Sequence, residues 1–151
     1  MTNEKNTLRI ALGTDHAGYT HKEAINLFLL EKGYQTKDFG TFSEESVDYP
    51  DYVRPAAEAV AEVLCDLGIV LGGSGNGEAM AANKVKGVRC ALCWSVETAK
   101  LAKQHNDANV LSLGQRQISQ ELALEIVDAW LNESFEGGRH LRRIRMLDSS
   151  D

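Results

Sequence analysis

No run of eighteen apolar residues occurs in the sequence, which excludes a membrane-spanning helix of ordinary length. Residues 1–7 are polar and lack the apolar core of a secretory signal, so the expected compartment is the cytoplasm. Positive charge is scarce: 16 Lys and Arg stand against 22 Asp and Glu, giving a formal net charge of −6, and there is no polybasic arm. A broad electrostatic grip on nucleic acid or an anionic membrane is therefore not expected, and an anionic ligand must be held by a local basic cluster. The 3 cysteines are an odd number for a disulfide framework. Cys90 and Cys93 spell C-x-x-C, but residues 88–93 read as a strand, on which an odd separation sends side chains to opposite faces. Redox or zinc work by this pair is not expected, and Cys65 reads as a small core residue. Low-complexity stretches and internal repeats are also missing, and 151 residues make one core of ordinary size.

What is present is an alternation of short apolar runs with amphipathic stretches, the pattern of a parallel sheet covered by helices on both faces. Strands are predicted over residues 8–12, 35–39, 67–71, 88–93 and 109–113. Helices are predicted over about 22–32, 52–65, from the glycine-rich loop through Glu78 and Ala82, from a Ser95 cap to about His105, and from a Ser119 cap through Leu131. Pro55 is acceptable only in a first helical turn. A last helix over about 139–147 carries Arg139, Arg142, Arg143 and Arg145, and with few apolar residues left to cover it is expected to pack on a partner subunit. The whole chain, 1–151, reads as a single domain with a polar start at 1–7 and a basic helix and tail at 139–151.

In open parallel sheets ligands bind beyond the carboxyl ends of the strands. The residues there are Thr14, Asp15 and His16, then Gly72 to Glu78, then Trp94 and Ser95, then Gln115 and Arg116. The loop Gly73-Ser74-Gly75-Asn76-Gly77 matches neither the dinucleotide fingerprint nor the Lys-Ser/Thr phosphate loop. It is either a tight strand-to-helix turn or an anion cradle at a helix N-terminus. Glu78 follows it, either as a favourable charge for the helix dipole or as a base beside an oxyanion hole. His105, before Asn106, reads as a cation at a helix C-terminus or as an acid–base group. Arg139 and Arg143, four apart, share a helix face that is either solvated or a phosphate clamp. No cluster of metal ligands is apparent in the sequence.

Taken in order, Gly13-Thr14-Asp15-His16-Ala17-Gly18, Asp48-Tyr49-Pro50, Gly73-Ser74-Gly75-Asn76-Gly77, Ala81-Ala82-Asn83-Lys84, Gln104-His105-Asn106, Gly114-Gln115-Arg116 and Glu136-Gly137-Gly138-Arg139-His140 resemble the ribose-5-phosphate isomerase B family, which includes galactose-6-phosphate isomerase subunits. The resemblance runs from Ile10 to about Arg143. It implies a three-layer α/β/α sandwich, Rossmann-like, with a five-stranded parallel sheet of order 2-1-3-5-4. It also implies a homodimer with shared active sites, possibly paired into a tetramer, working on a phosphorylated sugar without metal or cofactor. By the same resemblance Asp15 would bind the ring oxygen or adjacent hydroxyl and His105 would open the furanose. Ser74, with the backbone of Gly73, Gly75 and the neighbouring Asn76 and Gly77, would hold the enediolate, and Asn106 would bind a sugar hydroxyl. His16, Arg116, Arg139 and Arg143 would surround the phosphate.

Many family members place a catalytic cysteine immediately after strand three, where this sequence has Gly72. The sequence resembles the other branch, in which a glutamate at the position of Glu78 is the base. A carboxylate buried near apolar groups has its pKa raised toward neutrality and can carry one proton from C2 to C1. The expected reaction is the interconversion of ribose 5-phosphate and ribulose 5-phosphate through a cis-enediolate. Allose 6-phosphate, galactose 6-phosphate or erythrose 4-phosphate would suit the same chemistry. A non-catalytic sugar-phosphate module and a nucleotide or flavin domain of similar topology are the other readings.

Overall fold

The computed structural model describes residues 7–149; the rest of the polar start and the last two residues lie outside the described part. Five parallel strands are formed by β1 (Arg9–Thr14), β2 (Gln35–Asp38), β3 (Leu67–Gly72), β4 (Cys90–Leu92) and β5 (Val110–Gly114), in the order β2-β1-β3-β5-β4. The helices are α1 (Tyr19–Glu31), α2 (Pro50–Ala61), α3 (Asn76–Asn83), α4 (Val96–Asn106), α5 (Gln120–Asn132) and α6 (Arg139–Asp148), with a short 3-10 turn at His16–Gly18. The predicted strand order and layer arrangement are both borne out.

The order dictates which helix covers which face. Parallel crossovers are right-handed, so helices between strands stepping one way lie on one face and those between strands stepping back lie on the other. Accordingly Ile25 and Leu29 of α1, Ala99 of α4 and Ile126 and Trp130 of α5 share one core with Ile10, Leu12 and Leu111. Val53 and Val60 of α2 and Ala82 of α3 share the other with Ala11, Val70 and Val110. Alternate residues of the central strands feed the two cores, which is why those strands read as near-continuous apolar runs. Cys93 belongs to the first core and Cys90 packs against the second, so the C-x-x-C pair does face opposite ways. Cys65 is a buried core residue, as expected.

Several boundaries differ from expectation. Helix α1 begins three residues earlier, because Asp15 caps the 3-10 turn by accepting from the Ala17 and Gly18 amides and that turn runs straight into the helix. Helix α2 starts at Pro50, which puts Pro55 in its second turn instead of its first. The carbonyl left without a helical partner is that of exposed Asp51, where water can serve it. Strand β4 is only three residues, and Ile118 lies ahead of the Ser119 cap. Ser95 caps α4 in a reciprocal box with Thr98.

Helix α6 turns buried His140 and Ile144 inward, against α4 of the same chain, and Arg89 holds its end through Asp148 at 2.7 Å. The helix thus has an intramolecular seat that its sparse apolar content did not suggest. No helix among the described residues is long and apolar enough to cross a membrane.

Candidate active site

The strand order reverses between β1 and β3, and a crevice at such a switch point is where open α/β sheets bind ligands. Asp15 and His16 leave the end of β1, the glycine loop and Glu78 leave β3, and Arg116 leaves β5. Their backbones are tied together: the Arg116 amide donates to the Gly73 carbonyl at 2.9 Å and the Gln115 amide to that of Gly72 at 2.9 Å. The Arg116 guanidinium lies over Gly73, with Nη1 3.0 Å from where a Cβ would stand.

Glu78 is the third residue of α3 and only 4% exposed. Gly75 is the N-cap residue, in a left-handed conformation (φ 84°) that an L side chain would strain, and a Cβ there would also stand 2.6 Å from Leu92 Cδ1. This turn brings the Gly75 and Glu78 amides to the side of the Glu78 carboxylate, where they favour its charged form. Glu78 also places a negative charge in the first turn of α3, where the helix dipole favours it, so the helix-end reading and a catalytic one do not compete. Burial pushes the Glu78 pKa up, the nearby negative charge of Asp15 pushes the same way, and the two amide bonds pull against them.

Room for the carboxylate comes from Gly72. A Cβ built on Gly72 would overlap Cδ and both oxygens of Glu78. A side chain after β3 and the Glu78 carboxylate therefore compete for one volume. The missing cysteine and the glutamate are thus one feature seen from two positions. Ser112 pins the cradle from below, its hydroxyl donating to the Gly75 carbonyl at 2.8 Å. Tyr49 closes its side, 2.6 Å from where a Gly77 Cβ would stand. Ser112 was not identified from sequence and Tyr49 had no role there beyond its place in the Asp48-Tyr49-Pro50 motif, although a serine inside the apolar run of β5 marks a buried polar task. Ser74 accepts from the Asn76 amide at 3.2 Å. His16 accepts at Nδ1 from the Val47 amide at 3.1 Å, which leaves Nε2 of the neutral ring to carry the proton.

The remaining expected site residues are elsewhere. Helix α4 begins at the carboxyl end of β4 and runs the length of the sheet, so His105 and Asn106, at its C-terminus just before β5 starts, lie at the opposite edge. Eleven residues at about 1.5 Å each separate the two edges by roughly 16 Å. Arg139 and Arg143, both exposed, stand on α6 beside His105. One chain therefore holds two groups: Asp15, His16, Ser74, Glu78 and Arg116 at one edge, His105, Asn106, Arg139 and Arg143 at the other. The second group includes a trio absent from the sequence reading, in which His105, Glu136 and His140 offer ligand atoms within 4.8 Å of one another. The long spacing between residue 105 and residues 136 and 140 concealed it.

The family described as Ribose/Galactose Isomerase matches residues 10–147, nearly the whole chain. Ribose-5-phosphate isomerase B of Mycobacterium leprae is 49% identical over 142 residues, covering 93% of this chain and 88% of that one. Among solved structures, ribose-5-phosphate isomerase B of Clostridium thermocellum superposes with a TM-score of 0.92 at 48% identity, covering 93% and 95% of the two chains. That of Mycoplasma genitalium, solved with bound ribulose-5-phosphate, superposes with a TM-score of 0.89 at 43% identity, covering 93% of each. Agreement in fold, in length and in sequence over nearly the whole chain leaves one assignment: this chain belongs to the Ribose/Galactose Isomerase family.

Proposed function

We propose that the protein interconverts ribose 5-phosphate and ribulose 5-phosphate, with Glu78 as the base and with each active site built from two copies of the chain. The observation that carries the base assignment is the buried Glu78 carboxylate, seated in the volume that Gly72 leaves open and beside the amides of the glycine loop. Asp15 and the partner's His105 open the furanose to the aldehyde. The Glu78 carboxylate then takes the C2 proton, and the C–H electron pair moves into the enediolate, whose oxygen charge is met by Ser74 and the loop amides. A proton passes from O2 to O1, and Glu78 returns its own proton to C1, giving the ketose. Nothing is oxidised overall.

The homodimer follows from separation. Glu78 and His105 lie at opposite ends of the strands within one chain, about the length of α4 or roughly 16 Å apart, further than a pentose phosphate reaches, so both can serve one substrate only if the second comes from another copy. The surface offers apolar contacts for that pairing beside the short edge strand β4: Met80 is 66% and Trp94 is 54% exposed. The phosphate would then meet Arg116 and His16 of one protomer with Arg139 and Arg143 of the other, a charge-assisted grip suited to a dianion. Glu78→Gln tests the assignment. Turnover of ribose 5-phosphate should fall on the order of 10²-fold or more while substrate still binds; a variant with wild-type turnover would exclude Glu78 as the base.

A further inference from the structure

Two side chains that meet His105 only in the folded chain surround this group, which is assigned to ring opening. The rings of His105 and His140 stack with centroids 4.4 Å apart and planes 11° from parallel. Oε1 of Glu136 stands 3.8 Å from Nε2 of His105 and 3.6 Å from Nε2 of His140. The amide of Glu136 donates to the carbonyl of Gln104 at 3.0 Å, which ties the carboxylate to the residue preceding His105. His140 is 7% exposed, and its Nε2 is buried without a hydrogen-bond partner.

A buried, unpaired imidazole nitrogen is costly and calls for a reason. A metal ion is the obvious occupant of two histidines and a carboxylate. The stacking argues against it, because nearly parallel planes aim the two Nε2 lone pairs side by side instead of toward one point. The arrangement suits a proton better. Two imidazolium rings in face-to-face contact repel, so the pair carries at most one extra proton with ease. Burial pushes the His140 pKa down; Arg139, His105 and Arg143 push the same way, and Glu136 opposes them. His140 therefore stays neutral near pH 7, as a ring held against His105 without adding a second charge beside it.

Resting on the dimeric isomerase reading above, we propose that His140 and Glu136 are positioning residues for His105: the His140 ring is the platform that fixes its plane, and the Glu136 carboxylate aligns its Nε2. Both then act on ring opening and not on the proton transfer between C2 and C1, which belongs to Glu78 in the other half of the site.

That separation is measurable, because ribulose 5-phosphate has no free hydroxyl able to close a furanose and so needs no ring opening. Exchange of its C1 hydrogen in D2O reads Glu78 without His105. In His140→Ala, kcat/KM for ribose 5-phosphate should fall roughly tenfold or more, as expected for a loosened acid–base group, while C1 exchange stays within about twofold of wild type. His140→Phe keeps a flat ring on His105 and should recover most of the loss; Glu136→Gln should show the same split more mildly. Equal loss of turnover and exchange in all three variants would make the trio merely structural, and no loss in any would make it idle; either overturns the proposal. Failure of the underlying base assignment looks different: Glu78→Gln would retain exchange.

Discussion

Gly72→Ala adds one methyl group and removes no functional group. The new Cβ would overlap Cδ and both oxygens of Glu78, whereas ordinary van der Waals contact begins at 3.4 Å. The carboxylate has to retreat by about 1 Å, and a misplacement of that size costs on the order of 10²-fold in rate, ~2.7 kcal/mol in the barrier. Stability should not fall, because Gly72 is not among the glycines with positive φ and its carbonyl bond to Gln115 is unaffected. Replacing a strand-end glycine by alanine in an accessible conformation adds about 0.4–1 kcal/mol through the unfolded chain. Steady-state turnover of ribose 5-phosphate, followed as ribulose 5-phosphate formation, and thermal unfolding are to be measured together. The expected outcome is a folded protein with turnover down about a hundredfold, no further loss when Glu78→Gln is added, and partial recovery in Gly72→Cys through a thiolate in the same place. Gly72→Ala retaining turnover within about threefold of wild type would refute the competition between position 72 and the carboxylate.

Glu78 should cost stability where it is charged. Its folded-state pKa lies above the ordinary carboxylate value, so the folded chain holds the proton more tightly than the unfolded one, and stability is lost as pH rises through that raised pKa. Glu78→Gln should therefore unfold at higher temperature than wild type near pH 7–8, with the gain shrinking toward pH 4; calorimetry across that range checks the sign. Shared sites predict complementation. Glu78→Gln and His105→Asn, each inactive, should regain about a quarter of wild-type activity when equal amounts are unfolded and refolded together, since half the dimers are then hybrids with one intact site of two. A mixture as inactive as its components would argue against the shared site. Thiol reagents should leave turnover intact under native conditions: Cys65 and Cys93 are buried, burial pushes the Cys93 thiol up to about 11, and Cys90 is pushed higher still. Stoichiometric loss of turnover on alkylation would contradict this.

The amino-acid sequence by itself determined the element alternation, the Ser95 and Ser119 caps, the opposed cysteines and the strand-end positions of Asp15, Ser74, Glu78 and Arg116. These rest on periods of two and 3.6 residues and on capping chemistry, which act within a few residues. Only the tertiary structure decided that the Glu78 carboxylate fills the space of a Gly72 side chain, because that depends on how the loop after β3 folds back over it. The seat of α6 on α4, the tolerance of Pro55 in a second turn and the meeting of His105 with Glu136 and His140 were equally out of local reach. So was the division of the site residues between two edges of the sheet. That division follows from a helix running antiparallel to the strands it covers, which carries its last residues away from the edge where its first ones begin.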